Sequence, residues 1–360
     1  MSEPLESLRQ ELSSVDRQLL ELVGRRLALA KEIGAVKRGM DKATRDFARE
    51  KVVIDAARQR AEHHGYDPTV AEELMHILIR SSLTAQEQDR VAAHDLGEGR
   101  RALVIGGAGK MGSWFARFLD SQGFAVEISD PSEGAFPNVD WRTVALDHEM
   151  IVVATSLRQT AEVLFGLAER KPTGVVFDLG SLKSPLHDGL AALVDSGVAV
   201  CSVHPMFGPD TALLSGRHVI FVDLGHPEAV VAARALFAPT MATTVDMGLD
   251  EHDRLISSVL GLSHALNIAF FTALAASGED APRLAALSST TFDAQLAVSA
   301  AVSRENPDLY YDIQKLNVHG AGALDRLCAA TESVRQAIVD GDQERFAALM
   351  ATGERYLRER

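Results

Sequence analysis

Two basic residues, Arg26 and Lys37, lie on one face of a long helical pattern near the start of the 360-residue chain. At about 100° per residue their azimuths differ by about 20°, and they lie about 16 Å apart along the axis, so both can point towards one pocket. Arg26 interrupts an apolar seam, where a guanidinium is costly unless an anion meets it. That anion is either a carboxylate of the protein or an acidic ligand, and both interpretations stay open at this point.

Arg9 lies on the same pattern, but about 25 Å from Arg26 and about 100° round the axis. Any similar site that it serves therefore belongs to another protomer, which predicts a homodimer. The seam advances alternately by three and four residues, as in a coiled coil, and so predicts one long helix. Its members are Leu5, Leu8, Leu12, Val15, Leu19, Leu22, Arg26, Leu29, Ile33 and Val36.

A glycine-rich loop, Gly107-Ala108-Gly109-Lys110-Met111-Gly112, follows the apolar run 103–105 and leads into the helical pattern 113–119. Strand, loop and helix within about 30 residues are the context that a dinucleotide-binding loop requires. Gly107 and Gly109 let the backbone approach a pyrophosphate, Gly112 allows close packing of helix on strand, and the helix N-terminus faces the phosphates. We therefore predict nicotinamide-dinucleotide chemistry.

Asp130 stands at the end of the second predicted strand, roughly 20 residues beyond the loop. A carboxylate there accepts hydrogen bonds from a ribose and repels a 2′-phosphate, which favours NAD over NADP. The alternative is a simple turn former before Pro131. Thr155 and Ser156, after the third predicted strand, complete the predicted cofactor-binding set.

His204 lies in the segment Ser202-Val203-His204-Pro205-Met206-Phe207-Gly208-Pro209, which we predict to follow the last strand of this domain. A histidine just past the C-terminal end of a strand sits where such sheets bind substrates. The alternative is a packed histidine beside a turn. Two prolines and a glycine favour a shaped loop.

Three compositions divide the chain and predict its fold class, a multidomain protein. Residues 1–92 are charged and helical and predict an all-α domain, residues 100–245 predict a Rossmann-type α/β NAD-binding domain with a parallel sheet, and residues 246–360 predict an all-α dimerisation domain. A polar linker at residues 93–99 separates the first two. The predicted strands contain residues 103–105, 126–128, 151–153, 175–177 and 198–200.

Composition excludes several classes of protein. The net charge of −14 argues against nucleic acid and anionic membrane as partners. Cys201 and Cys328 lack metal-binding spacing and predict buried free thiols, which fits a reducing cytoplasm, and we predict no metal. The N-terminus shows no export signal, and we expect no apolar run to approach the roughly 20 residues of a membrane span.

The polar residues of the first domain resemble those of the all-helical chorismate mutase family over about 85 residues. The family's active-site pattern maps onto Arg9, Arg26, Lys37, Asp46, Arg49, Glu50, Ser82 and Gln86. The resemblance implies rearrangement of chorismate to prephenate, with arginines holding the carboxylates and with Lys37 and Gln86 facing the ether oxygen. It also implies an intertwined dimer in which Arg9 comes from the partner.

The segment 204–209, together with residues 178–183 and 251–253, is similar to the prephenate dehydrogenase family over nearly all of residues 100–360. The resemblance implies oxidative decarboxylation of prephenate with NAD, in which His204 takes the proton of the ring hydroxyl and Ser181 orients His204 or touches that hydroxyl. The residues expected on the substrate side are Lys183, His252, His264 and Gln314. His264 lies in an apolar helix, so a core histidine is the alternative there.

One position departs from the bifunctional family that joins these two activities. An arginine that recognises a substrate anion is expected at Ala301, and Arg304 or Lys315 is a candidate replacement. Because this arginine is missing, 4-amino-4-deoxyprephenate, formed from aminodeoxychorismate, is an alternative substrate. Two further classes stay open: a dehydrogenase with a non-catalytic helical dimerisation or effector module, and a non-catalytic sensor of NAD and an aromatic metabolite.

Overall fold

The computed structural model describes residues 3–40 and 42–359. They form two compact units. The first unit comprises the described residues up to Thr155 together with Gly166–Leu179 and Ala192–Asp246, and the second comprises Ser156–Phe165, Gly180–Ala191 and the described residues from Met247 onwards.

Three helices open the first unit, as predicted: α1 (Glu3–Gly39), α2 (Phe47–His64) and α3 (Pro68–His94). Helices α1 and α2 both pack against α3. Asp46 caps α2 by accepting a hydrogen bond from the Arg49 amide at 2.9 Å. Gly65 ends α2 at a φ of 74°, a left-handed conformation that glycine adopts without strain.

The apolar seam of α1 is largely exposed in the single chain. Leu8, Leu12, Leu22 and Val36 each expose more than half of their surface. A continuous apolar stripe of this kind is costly in water and is normally covered by another protein surface.

The sheet of the first unit has seven strands: β1 (Arg101–Ile105), β2 (Ala125–Ser129), β3 (Met150–Val153), β4 (Val175–Asp178), β5 (Val200–Pro205), β6 (His218–Asp223) and β7 (Thr243–Asp246). Their order in the sheet is β2-β1-β3-β4-β5-β6-β7. The chain crosses from β2 on one side of β1 to β3 on the other, and this change of direction opens a crevice at the carboxyl ends of the strands.

Two expectations about this sheet were wrong. β5 runs from Val200 to Pro205, so His204 lies inside the strand rather than beyond it, and β6 and β7 follow. β5 is buried at every residue, so its sequence lacks the apolar/polar alternation that would identify residues 202–205 as part of a strand. β6 pairs antiparallel with β5 because no crossover helix stands between them, whereas β1 to β5 are parallel as predicted.

Four helices and a short 3-10 helix (Ser184–Leu186) connect the strands. They are α4 (Lys110–Asp120), α5 (Leu157–Arg170), α6 (His187–Asp195) and α7 (Pro227–Ala235). Within the first unit, Phe115 of α4 packs edge-on against Phe177 of β4, with ring centroids 5.7 Å apart, and both side chains are fully buried. This packing holds α4, and so the glycine loop before it, against the sheet.

The rest of the second unit is helical, as predicted. Its elements are α8 (Leu249–Ile256), a π-helix (Ser257–Leu262), α9 (Ser263–Ala276), α10 (Ala281–Ala286), α11 (Thr290–Ser303), α12 (Pro307–Lys315), α13 (Gly320–Val339) and α14 (Gln343–Arg358).

The helical run Leu249–Ala276 corrects one expectation. By length and composition it is able to cross a membrane, since an 18-residue stretch within it has a mean hydropathy of 1.7. It also carries a polar contact with α11, since Ser299 donates a hydrogen bond to the Asn267 side chain at 2.9 Å and Gln295 donates a second one at the same distance. Helices that pack against other protein segments also meet these criteria of length and hydropathy. The hydrogen bonds to α11 show that this run packs against protein.

Candidate active sites

Arg26 joins α1 to α3. Its Nη1 donates hydrogen bonds to the Ser82 hydroxyl at 2.5 Å and to the Leu78 carbonyl at 2.7 Å. Burial lowers the pKa of Arg26, and within the described residues its hydrogen-bond partners are neutral oxygens. Among the described residues, the predicted alternative of an internal ion pair is therefore not formed by Arg26.

Gln86 lies one turn after Ser82 on α3 and packs against α1. A Cβ added at Gly34 would come within 2.9 Å of its Cγ, so the absence of a side chain there makes room for it. Its Oε1 is buried and has no hydrogen-bond partner among the described residues. Lys37, one turn beyond Gly34, donates to the Thr44 carbonyl at 2.7 Å. The interface between α1 and α3 therefore carries four of the predicted residues: Arg26, Ser82, Gln86 and Lys37.

The remaining predicted residues of the helical domain are placed differently. Glu50 is held by Arg45 through two bonds of 3.0 and 2.9 Å, a contact that the sequence analysis missed although both residues lie in one short segment. The Asp46 side chain caps the N-terminus of α2, and Arg49 is exposed. Arg9 is 62% exposed and pairs with Glu6 at 3.7 Å, so in the single chain it does not join the cluster, as its spacing predicts.

The glycine loop has the close packing expected of a dinucleotide-binding turn. A Cβ at Gly112 would lie 2.0 Å from the Gly106 carbonyl oxygen, and one at Gly107 would lie 2.4 Å from Cγ2 of Ile128. Gly106 itself, which the sequence analysis did not single out, has a φ of 85°. Met111 is half-buried, while Gly109 and Lys110 are exposed at the start of α4.

Asp130 accepts hydrogen bonds from the glycine loop and from the turn that follows it. Its Oδ2 accepts a hydrogen bond from the Ala108 amide of the loop at 3.2 Å, and its Oδ1 accepts one from Ser132 at 2.9 Å. The carboxylate therefore shapes the turn and also lies beside the glycine loop. Ser156 caps the start of α5 by accepting backbone bonds from Gln159 and Thr160, and Thr155 directly precedes it after β3.

His204 is 5% exposed and lies opposite Ile220 of β6 in the register of the sheet. Two residues earlier on β5, the Ser202 hydroxyl donates to the Asp178 carboxylate of β4, and both side chains are fully buried. The sequence does not reveal this pair, because the two partners come from different strands.

In the second unit, Asp253 is the centre of a buried cluster that contains Lys183 and His252. Its carboxylate accepts hydrogen bonds from the Lys183 amide at 2.8 Å and the Ser184 amide at 2.5 Å, and it contacts Nδ1 of His252 at 2.7 Å. Burial alone would raise the pKa of Asp253, but the bonds from His252, Ser184 and Lys183 together lower it. The Lys183 side chain is fully buried, with its Nζ 2.7 Å from the Gly180 carbonyl.

His264 and Gln314 lie beside the π-helix. The His264 ring stacks on Tyr310 with centroids 4.0 Å apart, and burial lowers the pKa of His264. Gln314 donates to the Gly261 carbonyl at 2.8 Å. Single π-turns within helices occur often at functional sites.

Buried polar atoms without a partner mark the predicted sites. Seven such side chains occur among the described residues, and four of them are predicted site residues: Gln86, Ser181, His264 and Gln314. Native proteins pair nearly all buried polar groups, so each of these atoms calls for a further partner, such as a water molecule or a ligand. The atoms concerned are Oε1 of Gln86, Oγ of Ser181, Nδ1 of His264 and Oε1 of Gln314.

Three family models match the chain: chorismate mutase type II at residues 8–87, the prephenate dehydrogenase nucleotide-binding domain at 135–245, and the prephenate dehydrogenase dimerization domain at 249–352. The chain is also 30% identical over 269 residues to the 4-amino-4-deoxyprephenate dehydrogenase of Streptomyces pristinaespiralis, covering 70% of this chain and 89% of that protein. The chain belongs to the prephenate dehydrogenase family. Its mutase domain makes it a bifunctional member.

Other relatives agree with this assignment. The T-protein of Enterobacter agglomerans is 28% identical over 345 residues, which cover 96% of this chain and 90% of that protein. A crystal structure of prephenate dehydrogenase from A. aeolicus, with 16% identity and a TM-score of 0.60, covers 72% of this chain and 98% of its own and shows the same fold. The predicted fold class is confirmed, and the prediction of an enzyme with mutase and dehydrogenase activity is confirmed.

At the departure from the family pattern, Ala301 lies on α11 and is exposed. Arg304 follows the end of α11, and Lys315 is the last residue of α12. Both candidate replacements are exposed.

Proposed function

We propose that this chain rearranges chorismate to prephenate along the α1–α3 interface, and that it oxidises prephenate with loss of CO2 to 4-hydroxyphenylpyruvate. The observation that carries the proposal is the coincidence of buried, unpartnered polar atoms with residues expected at the two sites, Gln86 on the mutase side and Ser181, His264 and Gln314 on the dehydrogenase side. A ligand-free site has this appearance because the missing partners belong to the substrate.

The mutase step is a pericyclic rearrangement and needs no acid, base or nucleophile. Its residues act by orientation and by electrostatics. Arg26, held by Ser82, binds a substrate carboxylate and keeps the chain folded over the ring. Lys37 and Gln86 face the ether oxygen, where negative charge develops as the bond breaks.

The other predicted mutase residues complete this site in the proposal. Arg9 of a second copy supplies a further cation, which requires a homodimer, and the exposed seam of α1 is the surface that such a copy would cover. Asp46, Arg49 and Glu50 lie at the start of α2 and contact the substrate from the side of that helix.

NAD fits the residues of the glycine loop. The loop offers no side chain at Gly107, Gly109 or Gly112, its helix begins at Lys110 with free backbone amides, and Asp130 lies beside it. A carboxylate at this position disfavours a 2′-phosphate, so NAD is preferred to NADP. When bound, NAD supplies the hydride acceptor. Ala108, Met111, Thr155 and Ser156 complete the cofactor-binding set in this proposal.

His204 acts on the ring hydroxyl in the dehydrogenase step. It accepts the proton of that hydroxyl as hydride leaves the same carbon, and it returns a proton to the phenol oxygen when loss of CO2 makes the ring aromatic. Ser181 takes part in substrate binding through its oxygen, which has no partner among the described residues. Lys183, His252, His264 and Gln314 bind the rest of the substrate.

A coupled assay tests the whole proposal. Pure protein is supplied with chorismate and NAD, and NADH absorbance is followed; a second reaction starts from prephenate. We expect NADH in both. If neither substrate produced NADH, the proposal would be wrong. Turnover of prephenate without turnover of chorismate would favour the non-catalytic helical module instead.

The 4-amino substrate is a second candidate, and the alanine at position 301 favours it together with the similarity to a 4-amino-4-deoxyprephenate dehydrogenase. An amine at the oxidised carbon would use the same hydride transfer. Comparing kcat/KM for prephenate and 4-amino-4-deoxyprephenate decides between them. We further propose that the enzyme works in the cytoplasm on small-molecule substrates, without nucleic acid, membrane or metal.

A further inference from the structure

A cationic cavity of about 320 Å³ lies in the first unit, where α1 and α3 end. Among the described residues that line it, four are Arg, Lys or His and none is acidic. This is a marked local concentration of positive charge in a chain whose net charge is −14. The lining residues are Arg38, Lys42, Arg90, Ala93, His94, Ala238 and Pro239.

Arg38 is the least satisfied of these cations. Its Nη1 is buried and has no hydrogen-bond partner among the described residues. Arg90 donates to the neutral Thr44 hydroxyl at 3.2 Å. Since a buried guanidinium nitrogen without a partner is costly, an anion in the cavity would remove an existing penalty.

Capping of the helix ends does not account for the cluster. Cations near helix C-termini are favourable because they face the negative end of the macrodipole, and Arg38 and His94 lie in the last turns of α1 and α3. A capping arginine would bond the free carbonyls, whereas Nη1 of Arg38 bonds none in the part of the chain that the structure describes. That atom therefore remains available to a ligand.

We propose that this cavity binds a small ligand that carries at least two negative charges on phosphate or carboxylate groups. Arginine is suited to both groups because its planar donors match paired anionic oxygens. Ala93, Ala238 and Pro239 form an apolar side of the cavity, and its volume admits a molecule of metabolite size.

Thr44 links this cavity to the mutase residues. Its hydroxyl accepts from Arg90, and its backbone carbonyl accepts from Nζ of Lys37 at 2.7 Å. An anion that draws Arg90 towards itself shifts Thr44 and so the position of Lys37. Bound ligand thus changes mutase kinetics. This coupling rests on the proposed mutase function, whereas the binding itself does not.

Isothermal titration with inorganic pyrophosphate tests the binding. The full-length protein is saturated with NAD, so that the glycine loop does not compete. We expect one site on each chain, weakened about tenfold or more by Arg38→Gln and by Arg90→Gln. Arg60→Gln is the matched control, because Arg60 is exposed on α2. Arg26→Gln separates the cavity from the mutase site and should leave the affinity unchanged.

The proposal would be overturned if the parent protein did not bind pyrophosphate. It would also be overturned if Arg26→Gln lost binding while Arg38→Gln retained it. Melting curves without ligand establish that the variants fold, and Arg38→Lys should recover part of the affinity. Repeating the titration with citrate shows whether phosphate or carboxylate is preferred. For the coupling, pyrophosphate should change the mutase KM for chorismate in the parent protein and not in Arg38→Gln; an equal response in both would refute it.

Discussion

The carboxylate of Asp253 on α8 receives the backbone amides of two consecutive residues, Lys183 at 2.8 Å and Ser184 at 2.5 Å. Hydrogen bonds to a buried charge are each worth about 1.5–3 kcal/mol. This carboxylate therefore holds the segment that carries Ser181 and Lys183 against α8. The first prediction follows from it.

Asp253→Asn should lower the melting temperature and the dehydrogenase rate, because an amide cannot accept all of these bonds. Its effect should depend on pH. The carboxylate has a lowered pKa when folded, so its stabilisation is present above the unfolded pKa and is lost as the pH falls through the folded pKa. Melting curves between pH 3 and 7 should show that the melting temperature falls less steeply with acidification in Asp253→Asn than in the parent protein.

Asp250→Asn is the control for Asp253, because Asp250 is 80% exposed in its contact with His319. It should leave the acid profile close to that of the parent. Identical profiles for Asp253→Asn and the parent would exclude Asp253 as the source of the acid dependence.

Arg26→Gln should reduce mutase kcat/KM by about 10²-fold, since misplacement of the substrate by about 1 Å already costs this much. Oxidation of added prephenate should be unchanged. Arg25→Gln, at the exposed neighbouring position, is the control. Unchanged chorismate turnover in Arg26→Gln would show that the helical domain is a non-catalytic module.

His204→Asn should lower the dehydrogenase rate by about 10²- to 10⁴-fold, the range for loss of a general base. The dissociation constant for NAD should change little, because the side chain acts on the substrate. His218→Asn, on the exposed end of β6, serves for comparison. A variant as active as the parent would remove His204 from the mechanism.

Gly112→Ala should abolish NAD binding while mutase activity persists. The added Cβ would lie 2.0 Å from the Gly106 carbonyl oxygen, which is backbone and cannot yield without moving the loop. Gly353→Ala adds the same carbon where nothing lies within 4 Å. Fluorescence titration with NADH measures the affinity of both variants for the cofactor. Retained affinity in Gly112→Ala would contradict the role of the loop in binding NAD.

Local spacing made much of the fold predictable. The three- and four-residue steps of the seam predicted α1, and the run from strand to glycine loop to helix predicted β1, the loop and α4. Ser82 and Gln86 lie four residues apart, so helical geometry alone places them on one face. Arg26 and Lys37 share a face of α1 for the same reason.

The sequence could not predict the partners that come from distant segments. Glu87, next to Gln86 on α3, is buried and accepts hydrogen bonds from the amides of Leu214 at 2.8 Å and Met241 at 2.6 Å. Burial raises the pKa of Glu87, although both bonds oppose that shift. No periodicity connects these three positions.

The sequence by itself determined the helical character of the first and last regions, the first five strands in approximate position, and the glycine loop. Only the tertiary structure decided that His204 lies within β5, that β6 runs antiparallel to it, and that Asp253 organises Lys183 and His252. The physical reason is range: turn and helix geometry act over a few residues and can be read from spacing. The pairing of buried polar groups is decided by packing between segments that lie far apart in the chain.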